Sequence, residues 1–181
     1  MRNHRLRAAL FAILWLGCGS DDRPALLGTS DTGSGPESAA RRHWCDSLCN
    51  SAWRCEAGFP SSCGDNCRRG SSAFFARSSA ASLEYQSRCM DDAACPADFD
   101  DLPAQCWMDS VTQLEPSDAA NEQCEVLAPE FFECDWFASH DSCARYHANF
   151  SRAALANERK CAGSSCDELD ECISKQLSGA N

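Results

Sequence analysis

The chain has 181 residues, fifteen of them cysteine, and a formal net charge of −11 at neutral pH. So acidic a surface repels phosphate backbones and anionic headgroups, which argues against nucleic acid as a partner and against membrane attachment through charge. Ten Leu, two Val and one Ile after Cys18 exclude a large aliphatic core.

Residues 1–17 carry a basic stretch at Arg2, Arg5 and Arg7, then a short apolar run from Ala8 to Leu16. This is the pattern of a secretory signal peptide, and the run is too short to cross a bilayer as a helix. The segment "LWLGC", residues 14–18, resembles the lipobox of bacterial lipoproteins. The resemblance implies that Cys18 is lipidated, becomes the new N-terminus and anchors the protein in a membrane of the cell envelope. Cleavage after Ser20 is the other route and implies a secreted protein. Loss of the three arginines makes the mature charge −14, with 13 basic against 27 acidic residues. Residues 18–42 are rich in Gly, Ser, Asp and Pro with little helical period. They are expected to form the lipidated cysteine and a disordered tether, which as a coil reaches roughly 25–30 Å.

Either route leaves fourteen cysteines, an even number that suits a disulfide framework in an exported chain. With so few aliphatic residues, covalent links must help offset chain entropy. Val, Ile and Thr, which favour strands, are scarce, whereas Ala, Leu, Arg, Glu and Gln suit helices. The expected fold class is all-α.

The folded part is expected to comprise two tandem helical-hairpin units, 43–115 and 116–177. Cys45-x9-Cys55 recurs as Cys124-x9-Cys134, with Leu48 over Leu127 and Trp53 over Phe132. Cys67 and Cys143 are each followed seven residues later by a phenylalanine, Phe74 and Phe150. Cys89, Cys95 and Cys106 then correspond in order to Cys161, Cys166 and Cys172. Cys49 and Cys63 lack counterparts, their places being taken by Ala128 and Ser139. Because disulfides are lost in pairs, this proposes Cys49–Cys63. Geometry proposes the same bridge: Cys45 and Cys49 share one helix face, as do Cys63 and Cys67. In an antiparallel hairpin the inner cysteines join, Cys49–Cys63, and the outer ones join, Cys45–Cys67. The second unit keeps the outer link, Cys124–Cys143. Four cysteines remain in each unit, with three pairings possible. The preferred set is Cys55–Cys89 with Cys95–Cys106, and Cys134–Cys161 with Cys166–Cys172.

Helix signals agree with this plan. Asp101 is expected to cap a helix carrying Pro103, Cys106, Val111 and Leu114, and Ser117 one carrying Cys124 and Leu127. Pro129 should end that helix and open the next, with Phe131, Phe132 and Phe137. Tyr146, Phe150, Ala153 and Ala154 recur at helical spacing, and both this stripe and that of Phe131, Phe132 and Phe137 are expected in the core.

The frame Cys45-x3-Cys49-x13-Cys63-x3-Cys67 resembles the hairpins of the small carrier chaperones of the mitochondrial intermembrane space. That likeness is confined to residues 45–67 and reads as convergence on one stapled geometry. Cys134, His140, Cys143 and His147 are of types that zinc accepts, but Cys143 already has a disulfide assignment. No metal and no cofactor are therefore expected. There is no C-x-x-C for thiol redox work, and no G-x-S-x-G, H-E-x-x-H or phosphate loop. Asp91, Asp92, Asp98, Asp100 and Asp101 read as a solvated acidic loop. "NFS" at Asn149 is an N-glycosylation acceptor pattern. The expectation is an exported, lipid-anchored, non-enzymatic binding or structural module, with the membrane as the only partner assigned. The alternatives are a small envelope enzyme using His43, His140 or His147, or a secreted effector or inhibitor.

Overall fold

A computed structural model describes residues 36–178, which are all-α. The expected signal peptide, Cys18 and the tether as far as residue 35 lie outside the described residues. Among the described residues no helix is long and apolar enough to cross a membrane.

Helix α1, Pro36–Arg54, opens the first unit. Residues 36–42 are thus helical, which corrects the tether boundary at 42. Pro36 suits a helix start, and the Ser-Ala-Ala-Arg-Arg run that follows has good helix formers. This first stretch is held by packing: Ala40 and Trp44 are buried, and the Arg41 guanidinium lies 4.6 Å from the Phe75 ring centre. Gly58 and Pro60 occupy the turn into α2, Cys63–Gly70, and α3, Ser72–Arg77, follows. Helix α4, Ala80–Asp92, runs beside α1 in the same direction, and α5, Asp101–Gln113, closes the unit. Asp100 takes the N-cap position of α5, one residue before the expected Asp101.

The second unit contains α6 (Asp118–Val126), α7 (Ala128–Glu133), α8 (His140–His147) and α9 (Arg152–Glu158). A 3-10 turn, Arg159–Cys161, then leads to α10, Cys166–Ser178. Ser117 caps α6 as expected, its hydroxyl accepting the Ala120 N–H at 3.2 Å. Pro129 sits in the first turn of α7. Of the expected core residues, Phe131 is fully buried, but Phe132 and Ala153 are exposed.

Seven disulfides join all fourteen cysteines of the described residues, and none crosses between the units. Cys45–Cys67, Cys49–Cys63 and Cys124–Cys143 are the hairpin bridges that the spacing proposed. The other four correct the expectation: Cys55–Cys95, Cys89–Cys106, Cys134–Cys166 and Cys161–Cys172. The reason is the direction of α4. Trp44 Nε1 donates to Gln86 Oε1 at 3.1 Å near the start of the α1–α4 contact. At its far end, Arg54 donates to the Met90, Asp91 and Ala93 carbonyls at 2.8, 2.7 and 3.0 Å. The two C-termini therefore lie level, with Arg54 satisfying carbonyls that α4 leaves open. Cys55, just past α1, meets Cys95, just past α4. Cys89 lies further back on α4 and bonds Cys106 on α5. The second unit repeats this order.

The turns repeat as well. Glu56 and Asp135, each directly after its cysteine, have left-handed backbones with φ of 55° and 56°. The Ala57 N–H donates to the Ala52 carbonyl, and the Trp136 N–H to the Phe131 carbonyl, both at 2.9 Å. This is the helix-terminating pattern in which a left-handed residue lets the chain bond back over the last turn.

Each unit has its own buried cluster, one around Trp44, Phe75, Leu83, Met90 and Leu102, the other around Leu127, Phe131, Leu169 and Ile173. Of the twenty-four buried apolar residues, eight are cysteines, so the bridges fill the interior as well as linking it. The units meet at Asn149, which is 2% exposed. Its Oδ1 accepts from the Ser82 hydroxyl at 2.7 Å and lies 2.6 Å from Ser110 Oγ. The sequon asparagine is thus a buried hydrogen-bonding hub, and no glycan can be carried there in this fold.

Candidate functional site

Of the described side chains, a buried cluster in the second unit most resembles a chemical site. Cys124 on α6 and Cys143 on α8 form the outer hairpin bridge. His147 lies four residues after Cys143, so its ring falls on the same helix face. Glu158, at the end of α9, reaches the ring from the other side. His147 Nε2 and Glu158 Oε2 are 3.1 Å apart, and the two side chains are 1% and 2% exposed.

The partners of the imidazole decide what it can do. His147 Nδ1 is 2.9 Å from the Cys143 carbonyl, which can only accept, so Nδ1 carries a proton. Nδ1 also lies 3.5 Å from both bridge sulfurs. Glu158 Oε2 accepts from Gln123 Nε2 at 3.0 Å, and Gln123 Oε1 accepts from Arg159 Nε at 2.9 Å. Phe131 stacks on the ring at a centroid distance of 5.3 Å, while Phe137, Tyr146 and Phe150 enclose the remaining sides. Burial of the Tyr146 phenol, reinforced by the Glu158 carboxylate and opposed by Arg77, holds its proton well above the ordinary phenol range. The base and carboxylate pair of an acid–base site is present, but the aromatic wall leaves it no access to a substrate.

The same atoms bear on metal binding. Cys124 Sγ, Cys143 Sγ and a His147 nitrogen lie within 4.8 Å of one another. Both sulfurs are spent in a disulfide, and Nδ1 donates to a carbonyl, so in this oxidised form the set has neither thiolates nor a free nitrogen facing them. The wider set suggested by the spacing is not assembled, because Cys134 is bonded to Cys166 and His140 is exposed.

The first unit contains a neutral version of the same brace. Trp44 precedes Cys45 as Gln123 precedes Cys124, and Gln86 lies three residues before Cys89 as Glu158 does before Cys161. Trp44 Nε1 donates to Gln86 Oε1 at 3.1 Å, as Gln123 donates to Glu158. The His147–Glu158 pair is thus a second-unit elaboration of a structural crosspiece. Glu158 and Gln123 were not singled out from sequence, although their fixed offsets from matched cysteines carry the signal.

His43 is the other histidine with carboxylates. Its Nδ1 lies 3.2 Å from Glu84 Oε2 and its Nε2 3.7 Å from Asp91 Oδ2, at the surface. The hydrogen bond to His43, followed by that to Arg88, holds the Glu84 carboxyl below its usual range. Ser47 donates to Asp91 Oδ2 at 3.0 Å, and Ser47 is 1% exposed. In a Ser-His-Asp relay the imidazole must stand between hydroxyl and carboxylate. Here the hydroxyl bonds the carboxylate directly, so the group is a surface brace between α1 and α4.

The acidic stretch is also spoken for in part. Asp91 faces His43 and Ser47, and Asp98 Oδ1 accepts the Asp100 N–H at 3.1 Å. In comparisons with known proteins, the chain matches no family model, no curated protein and no solved structure.

Proposed function

We propose that the chain is an exported, lipid-anchored module of the cell envelope whose role is binding or structural and not enzymatic. One observation carries this reading: all fourteen described cysteines are paired within their own units, so Cys18 finds no free thiol among them. Seven disulfides favour an oxidising, extracytoplasmic compartment. A fifteenth cysteine next to an apolar leader is then accounted for by lipidation. The sealed position of the His147–Glu158 pair supports a role for it in stability.

The test is detergent phase partition of the protein expressed with its leader in a bacterium that processes lipoproteins, with mass spectrometry of the mature N-terminal peptide. The expected result is a diacylglyceryl-modified Cys18 at the N-terminus, with Cys18→Ser shifting the protein to the aqueous phase. An unmodified N-terminus beyond Cys18 overturns the anchor and favours a secreted effector. Several reactive thiols in the native protein overturn export.

A further inference from the structure

The bridge found only in the first unit, Cys49–Cys63, has a surface consequence. Asp46, Cys49, Asn50 and Trp53 share one face of α1, and Ser61, Gly64, Asp65 and Arg68 face them from the other arm of the hairpin. Together they line an open depression of about 310 Å³. Trp53 is 53% exposed, more than any other large apolar side chain among the described residues. Its indole thus stands in solvent beside a hydrogen-bonding rim, an apolar face next to polar groups.

The rim's charges select among ligands. Arg68 donates to Asp46 Oδ1 at 3.2 Å and to Asp65 Oδ1 at 2.7 Å, so one guanidinium engages both carboxylates. The hydrogen bond to Asp65 is the first cause holding the Arg68 proton on more firmly than usual. Arg68 takes one oxygen of each carboxylate and neutralises one of their two charges, which weakens the pull on an ammonium ligand, and the remaining net charge of about −1 on the rim disfavours an anion. What remains is the exposed Asn50 amide, the exposed Ser61 hydroxyl, the outer lone pairs of the two carboxylates and an aromatic face. That set matches a pyranose ring, which presents an apolar C–H face on one side and hydroxyls around its edge.

We propose that this depression is a saccharide-binding subsite, with Trp53 as the stacking platform and Asn50, Ser61 and the Asp46–Arg68–Asp65 group as the hydroxyl-binding rim. The proposal deepens the binding-module reading above by naming a ligand class, and rests on it only in that sense. The inner disulfide lies at the base of the depression and fixes the two arms before binding, which lowers the ordering cost of holding a weakly contacted ligand. The second unit has Ala128 and Ser139 in place of that bridge and Phe132 in place of Trp53, so only the first unit has the complete site.

The test is isothermal titration calorimetry of the purified, oxidised protein with cellotetraose, chitotetraose and maltotetraose, and with tetramethylammonium chloride as a cationic comparator. Saturable binding of at least one oligosaccharide is expected, weakened ten-fold or more by Trp53→Ala and unchanged by Phe132→Ala. The double variant Cys49→Ala, Cys63→Ala keeps its helical circular dichroism through the outer Cys45–Cys67 bridge but binds several-fold more weakly. Absence of binding to all three oligosaccharides overturns the proposal. So does binding indifferent to Trp53→Ala, or a preference for the ammonium ion. These measurements do not depend on Cys18, so failure here leaves the anchor reading standing, and the converse also holds.

Discussion

Ser78 and Phe150 face each other in an isolated antiparallel β-bridge, each eleven residues before a matched cysteine, Cys89 and Cys161; the extra helix α3 of the first unit makes Ser78, and not Phe74 as the spacing from Cys67 suggested, the counterpart of Phe150. The contacts around them are reciprocal. The Ser79 N–H donates to the Asn149 carbonyl at 2.8 Å, and the Ser151 N–H donates to the Arg77 carbonyl at 2.6 Å. The Ser79 hydroxyl donates to the Ala148 carbonyl, and the Ser151 hydroxyl to the Ala76 carbonyl, both at 2.8 Å. Ser79 and Ser151 each cap the helix that follows, α4 and α9. The seam therefore has the self-complementary form of a two-fold homodimer interface, built within one chain.

Hydrogen bonds hold that seam and no disulfide crosses it, so the halves of a cut chain should stay together natively and part on denaturation. A protease site inserted between Glu115 and Pro116 should yield a nicked protein that runs as one species by gel filtration under native conditions. In urea without reductant it should resolve into two fragments. Fragments that stay joined in urea would mean a bridge between units and a different disulfide set.

The Asn149 hub tests the seam from inside. Asn149→Ala removes the acceptor shared by Ser82 and Ser110 and should cost about 1–3 kcal/mol in denaturant unfolding. Asn149→Asp should cost as much or more, since it sets a carboxylate oxygen against the two backbone carbonyls, of Arg145 and Tyr146, to which the amide now donates. An unchanged midpoint for both would remove Asn149 from any role in joining the units.

The His147–Glu158 pair is sealed, and breaking it from one side leaves a buried carboxylate. His147→Ala should cost about 3–5 kcal/mol. Glu158→Gln should cost less, because its amide oxygen still accepts from Gln123. The more telling variant copies the first unit: Gln123→Trp with Glu158→Gln and His147→Ser should recover much of the loss. Equal losses for His147→Ala and this triple variant would show that the neutral brace does not transfer.

Alkaline stability reports on Tyr146. Its proton is held well above the ordinary phenol range in the folded chain, while in the unfolded chain it leaves near pH 10. Below about pH 10 both states keep the proton and stability is full. As pH rises further, only the unfolded chain releases it, so stability falls by up to about 1.4 kcal/mol per pH unit until the folded phenol also ionises. Tyr146→Phe should flatten that decline. A decline of equal slope in the variant would place its cause elsewhere.

Full reduction and alkylation should abolish the cooperative thermal transition and most helical dichroism, given how much of the interior is sulfur. Closing the ring from Cys45 to Cys67 alone is worth about 3 kcal/mol in the chain-entropy account. A melting point that survives reduction would mean that the buried leucines and aromatics suffice without crosslinks.

Local patterns were enough for what local physics controls. Scarce β-branched residues set the class as all-α, and four-residue cysteine spacing placed Cys45, Cys49, Cys63 and Cys67 on facing sides of one hairpin. Ser117 and Pro129 marked helix boundaries because caps and proline act within a turn. Tertiary structure decided what depends on the relative direction of distant helices. Cys55 pairs with Cys95 and not Cys89 because α4 runs parallel to α1, and nothing in either helix's own sequence encodes that direction. The helical state of residues 36–42 agrees with their own Ala and Arg and is fixed by packing of Ala40, Trp44 and Arg41 against the unit, but the Gly-, Ser- and Asp-rich stretch before Pro36 conceals the boundary. The burial of Asn149 and the closing of His147 against Glu158 arise where separate segments meet; helical spacing places Asp46, Asn50 and Trp53 on one face of α1, but only the folded hairpin shows that Ser61, Asp65 and Arg68 stand opposite.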